Sequence, residues 1–90
     1  ILDYEALTLS IADETITLPK KEFLLLFKLL SAPNRIFTRA QIMDEIWGYE
    51  SESDHRTVDV HIKRLREKLE NNRDFEIITV KGLGYKARVL

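Results

Sequence analysis

The sequence contains no cysteine. That excludes a disulfide framework, a thiolate metal centre and a cysteine nucleophile, and it agrees with the reducing cytoplasm, the expected location. Glycine is nearly as scarce, at three residues in 90, and two of the three fall in "KGLG" (Lys81 to Gly84). That stretch is too short, and follows the wrong element, to be a dinucleotide fingerprint, so no phosphate-cradling glycine loop is available. There are only two histidines, His55 and His61. Six positions apart on one helix they are poorly placed to share an ion, and no metal or cofactor is expected. The carboxylates are scattered and no Ser/His/Asp set appears, which argues against an enzyme. No window approaches eighteen consecutive apolar residues, so no membrane span is predicted. No secretory signal pattern is present either. The chain starts at Ile1 rather than Met, and a fragment of a longer protein is expected.

What is present is the balance of an ordinary globular domain, 44% hydrophobic and 32% charged, too apolar for a disordered chain. Residues 1–90 are expected to make one domain with a modest core. The net charge of −1 conceals an asymmetry. Residues 1–54 carry five basic groups (Lys20, Lys21, Lys28, Arg35, Arg39) against ten acidic ones, while residues 55–90 carry nine against five. A polyanion responds to local potential, and the second part offers it a positive one.

The pattern of apolar residues orders the chain. Leu7, Leu9 and Ile11 alternate with polar residues, Asp13-Glu14 interrupts, and Ile16 and Leu18 alternate again, which predicts a small antiparallel sheet with one buried face. Pro19 opens "PKKEFLLLFKLLSA", apolar almost all round, so a helix here must be largely buried; "APN" stops it. Ile36 and Phe37 suit a very short extended piece. "TRAQIMDEIW" begins with a capping-box signature, Thr38 with Gln41 three residues on, and presents Ile42, Met43, Ile46 and Trp47 on one face. "GYESESD" is a polar loop ending in Asp54, a plausible cap for the next helix. "EIITV" and "YKARV", joined by "KGLG", read as a hairpin with glycines where positive φ is needed. The fold class is therefore α+β: an N-terminal antiparallel sheet, three helices and a C-terminal β-hairpin, a helix-turn-helix with a wing. Fold alone does not establish function.

The third helix, "HRTVDVHIKRLREKLE", is the informative segment. At 100° per residue Val58, Ile62, Leu65 and Leu69 fall within about 60° and form a core stripe. Opposite lie Arg56, Val60, Lys63, Arg64 and Glu67, with Thr57 at one edge; Asp59 and Arg66 flank one side, His61 and Lys68 the other. A charged face usually means solvation. Here basic groups outnumber acidic ones five to two between Arg56 and Lys68, and Val60 sits apolar in the middle of the exposed face. Val60 suits a thymine methyl and Arg64 a guanine edge or a phosphate. Thr57, near the helix N-terminus, suits a phosphate.

The motifs "KEFLLLFKLL", "FTRAQIMDEIWGY", "RTVDVHIKRLREKL" and "ITVKGLGYK" carry a resemblance. In order and spacing, over nearly all of the chain, it resembles the C-terminal effector domain of OmpR/PhoB-type response regulators, transcription factors of two-component systems. The resemblance implies a winged helix-turn-helix with a four-stranded N-terminal sheet, binding double-stranded DNA sequence-specifically. Residues 55–70 would enter the major groove and the wing, 75–89, the minor groove. Carried over by position, Thr57, Asp59, Val60 and Arg64 would face bases. Trp47, Arg56, His61, Lys63, Arg66, Thr79 and Tyr85 would lie at phosphates, and Lys81 in the minor groove. The loop Gly48, Tyr49, Glu50, Ser51, Glu52, Ser53 and Asp54 matches a segment that in some members contacts RNA polymerase. Implied partners are direct-repeat DNA bound by a head-to-tail dimer, RNA polymerase, an N-terminal receiver domain outside this chain, and a sensor kinase acting on that domain.

Three positions depart from the family pattern. Lys81 and Lys63 stand where arginine is usual, which loses the flat guanidinium fork, and Pro19 stands where many members have a capping Thr. Plainer roles also exist. Trp47 suits a core or interface anchor first, with any phosphate contact through its ring N–H second, and Tyr85 suits packing of the hairpin on the third helix. Gly82 and Gly84 are turn residues on any reading. Asp59 either accepts from a cytosine amine or orients a neighbouring arginine. A winged helix used only for protein contact is the alternative function, and it differs in having no salt-dependent affinity for DNA.

Overall fold

The computed structural model describes residues 2–3, 6–11, 14–48, 55–70 and 72–90. Strands β1 (Leu2–Asp3), β2 (Thr8–Ile11) and β3 (Glu14–Thr17) form an antiparallel meander in which Leu9 lies opposite both Leu2 and Ile16. The described sheet thus has three strands, where the family resemblance implied four. Leu9 and, just past β3, Leu18 are buried and turn this sheet's apolar face to the core.

Helix α1 (Lys20–Ser31) follows without a side-chain cap. Pro19, at φ −55°, directs the chain into the helix and its carbonyl accepts from Phe23 N at 2.9 Å. Proline carries no N–H of its own to leave unsatisfied there. Glu22, Phe23, Leu25, Leu26 and Leu29 are buried, the spacing of one wide helical face. Phe27 on the other side is 40% exposed, so the helix is less enclosed than its composition implied. Asn34, at φ +70°, completes the stop, and its N–H reaches Ala87 O at 2.7 Å. Asparagine tolerates that left-handed conformation.

The short extended piece is strand β4 (Phe37–Thr38). Thr38 then caps α2 (Arg39–Ile42) with both halves of the capping box formed: Gln41 N donates to Thr38 Oγ1 at 3.1 Å, and Thr38 N to Gln41 Oε1 at 2.9 Å. The second helix does not stay α-helical to Trp47. From Met43 to Trp47 it is a π-helical turn, closed by Gly48 N on Met43 O at 2.9 Å with Gly48 at φ +86°. Lys21 Nζ satisfies the terminal Ile46 carbonyl at 2.6 Å.

Helix α3 (His55–Lys68) buries Val58, Ile62, Leu65 and, one residue beyond its end, Leu69, the stripe its periodicity predicts. The hairpin of β5 (Phe75–Val80) and β6 (Gly84–Val89) has β4 on the far side of β6, giving the order β4-β6-β5. Only one of its two glycines behaves as the turn reading holds. Gly82 takes φ +79° in the turn, whereas Gly84 is a strand residue pressed against β4. One core joins Leu9, the α1 leucines, Ile42, Met43, the α3 stripe, Phe75 and Ala87.

Candidate nucleic-acid interface

Burying Val58, Ile62 and Leu65 turns the opposite side of α3 outward. Arg56, Val60, Lys63, Arg64 and Glu67 are all exposed there, Val60 at 44%. Thr57 and Asp59 are half-buried at the edge of this face. Lys81, in the wing turn, is exposed as well. Sequence reasoning placed these together, and the structure brings the α3 group onto one surface.

Several of the other named residues are engaged within the protein. His61 Nδ1 donates to Thr57 O at 2.7 Å, and the ring meets Trp47 edge-on with centroids 4.9 Å apart. A carbonyl only accepts, so that bond fixes a proton on Nδ1 and leaves Nε2 outside this contact. Trp47 is half-buried, with Lys21 Nζ 5.8 Å from its ring centroid. Arg66 crosses to the wing, one Nη donating to Ile77 O and to Thr79 Oγ1, both at 2.8 Å. Tyr85 is 4% exposed, and its hydroxyl donates to Asp59 Oδ1 at 2.5 Å.

Arg39 is the residue that sequence reading missed. It opens α2 immediately after the capping Thr38, and its Nε donates to the same Asp59 Oδ1 at 2.8 Å. Its guanidinium lies 5.5 Å from the Tyr85 ring centroid, with that of Arg66 5.8 Å from the same centroid. Asp59 and then the Tyr85 hydroxyl hold Arg39 all the more firmly in its charged form. Burial, reinforced by the Asp59 carboxylate, pushes the Tyr85 hydroxyl above its ordinary value. Its signal was a lone basic residue at the first position of a capped helix in the acidic half of the chain. Sequence alone could not show which carboxylate it would meet.

Gly48 is described, but Tyr49 to Asp54 lie outside the described residues, and with them the expected cap at Asp54 and most of the expected polymerase loop. Among the described residues no three His, Asp or Glu side chains converge as a metal site would need. No described helix is long and apolar enough to cross a membrane.

The pattern of one protein family, described as "Transcriptional regulatory protein, C terminal", matches residues 13–87. The chain belongs to this family, the OmpR/PhoB-type C-terminal DNA-binding domains. It is a response-regulator DNA-binding domain rather than an enzyme. It is 55% identical over 86 residues to the heme response regulator HssR of Staphylococcus aureus, covering 94% of this chain and 38% of that protein. The chain thus spans well under half the length of this curated relative. Among solved structures, the DNA-binding domain of Bacillus subtilis CssR superposes with a TM-score of 0.86 at 26% identity, covering 97% of each chain. The DNA-binding domain of the response regulator AdeR, solved in complex with an intercistronic region, gives 0.84 at 27% identity, covering 100% of this chain and 94% of that one. These neighbours share the winged-helix architecture.

Proposed function

We propose that the domain reads double-stranded DNA by inserting α3 in the major groove and resting the β5–β6 wing at the adjacent minor groove, as part of a transcription-regulating response regulator. The observation that carries this reading is the outward face of α3: Val60 exposed at 44% amid Arg56, Lys63 and Arg64, with the apolar stripe behind it fully spent on the core. A helix in B-DNA's major groove meets base edges with its outer face and phosphates with its flanks.

Val60 is assigned to a thymine methyl, Arg64 to a guanine edge, and Thr57 to the edge of the same site. Arg56 and Lys63 neutralise phosphates, Trp47 offers its ring N–H, and Lys81 enters the minor groove. His61 approaches phosphate through Nε2, and donates to it only when the ring is protonated. The phosphate roles of Arg66, Thr79 and Tyr85 compete with the contacts they make inside the domain, so these three serve first to hold the wing. The longer protein is assigned a receiver domain and a cognate sensor kinase, direct-repeat sites bound head to tail, a cytoplasmic location, and polymerase contact through residues 48–54.

Selection of bound duplexes from a random pool tests the reading. The wild-type domain is expected to enrich one motif. Arg64→Ala is expected to relax preference at a guanine position and to cost roughly 1–3 kcal/mol on the selected site. Equal weakening on every sequence would instead make Arg64 a phosphate contact.

A further inference from the structure

Asp59 holds one of the positions that the family resemblance assigns to the bases, yet its carboxylate, on a side chain 42% exposed, is engaged within the domain through Oδ1. Oδ1 alone accepts from Arg39 Nε of α2 at 2.8 Å and from Tyr85 OH of β6 at 2.5 Å. Three elements, α2, α3 and the wing, therefore meet at one oxygen. Tyr85 and Thr79 are cross-strand partners, so their side chains share the hairpin face turned to α3. Arg66 grips that face a second time through Thr79 Oγ1 and Ile77 O.

We propose that Asp59 is a positioning residue rather than a base reader: by joining Arg39 and Tyr85 it fixes the angle between the recognition helix and the wing, and so the register at which the wing meets the flanking minor groove. The inference rests on the DNA-reading function proposed above. Two physical points favour it. Withdrawing Oδ1 toward a cytosine amine breaks two charge-assisted hydrogen bonds and takes the acceptor from the hydroxyl proton of a tyrosine that is 4% exposed. It also carries a negative charge into a site surrounded by phosphates, whereas in its present place Arg39 neutralises it. The wing, tied at Tyr85 and Thr79, cannot then swing independently of α3.

The test is selection from a random duplex pool with the wild-type domain, Asp59→Ala, Asp59→Asn, Tyr85→Phe and the Asp59→Ala/Tyr85→Phe double variant. Thermal unfolding and wild-type salt dependence are measured in parallel. Under the proposal, Asp59→Ala and Tyr85→Phe lose preference at the same flanking positions, by about fivefold to tenfold, and keep the motif read by α3. The double variant is no worse than Asp59→Ala, because the two residues act as a unit. Asp59→Asn keeps an acceptor in place and retains part of the flanking preference. A base reader behaves otherwise. Asp59→Asn would then shift one position inside the motif toward adenine, since a carboxamide pairs with adenine's edge, and Tyr85→Phe would leave the profile unchanged. Either of those results overturns the proposal, as does a wild-type profile in every variant. Should Asp59→Ala fold poorly, Tyr85→Phe, which keeps the ring packed, decides alone. A wild-type domain that selects nothing and shows a flat salt response overturns the underlying DNA-reading function, and this inference with it.

Discussion

Gly84 lies so close to Phe37 that a Cβ added to it would stand 2.0 Å from the Phe37 carbonyl oxygen. It would also stand 2.9 Å from Thr38 Cα, so both near atoms are backbone of β4. Neither yields as a side-chain tip does. Gly84→Ala is expected to part β4 from β6 and to cost about 2–3 kcal/mol in urea unfolding, the upper part of the overpacking range. Gly82→Ala, in open space but at φ +79°, should cost only about 1 kcal/mol. Equal costs at the two positions would contradict the close approach.

Glu22 is 2% exposed on α1 and accepts from Lys68 Nζ at 2.8 Å, pinning α1 to the end of α3. Lys68→Ala leaves that carboxylate buried without its cation. A loss of about 2–3 kcal/mol is expected, below the range of about 3–5 kcal/mol for a fully buried pair because the Lys68 side chain is 36% exposed. Glu22→Gln, which removes the buried charge itself, should cost less. The order of the two variants in chemical denaturation is the check.

Tyr85 ties its proton to the fold. Its hydroxyl is raised above 10.0, first by burial and then by Asp59. The folded state therefore keeps a proton that the unfolded chain releases near that value. Stability from this group is fully present below pH of about 10 and declines as pH rises beyond it. Urea midpoints followed from about pH 8 to 11 should show a steeper alkaline fall for the wild type than for Tyr85→Phe. Parallel curves would show that the buried hydroxyl is not linked to folding.

Lys81 stands exposed in the wing turn, where the family pattern favours arginine. A guanidinium fits a narrow A·T-rich minor groove better than an ammonium does. Lys81→Arg is expected to sharpen preference for A·T-rich flanks without changing the motif under α3. Selection profiles compared position by position measure this, and an unchanged flank would contradict a minor-groove wing.

The periodicity of α3 was legible because its burial is one-sided. Val58, Ile62 and Leu65 had no other face to occupy, and the capping box at Thr38 and Gln41 is local chemistry that needs no tertiary information. What stayed hidden depends on neighbours distant in the chain. Glu22 reads as one charge among the lysines opening α1, and only the arrival of Lys68, 46 residues later, makes it a buried partner. Gly84 reads as a turn residue until β4 is laid beside it. Arg39 and Asp59 carry no mutual signal at a separation of 20. The π-helical turn before Gly48 likewise follows from no feature of "MDEIW" that distinguishes it from an α-helical stretch.

On the function proposed above, the outer face of α3 and the wing bind DNA through their cations. The most direct test is the affinity of the wild-type domain for a duplex measured across salt concentrations. With Arg56, Lys63, Arg64 and Lys81 as the contacting cations, log K should fall linearly with log salt at a slope of about −3 to −4 per domain. Lys63→Ala should reduce that slope by about one. A flat salt response, or no duplex binding at low salt, would contradict the account.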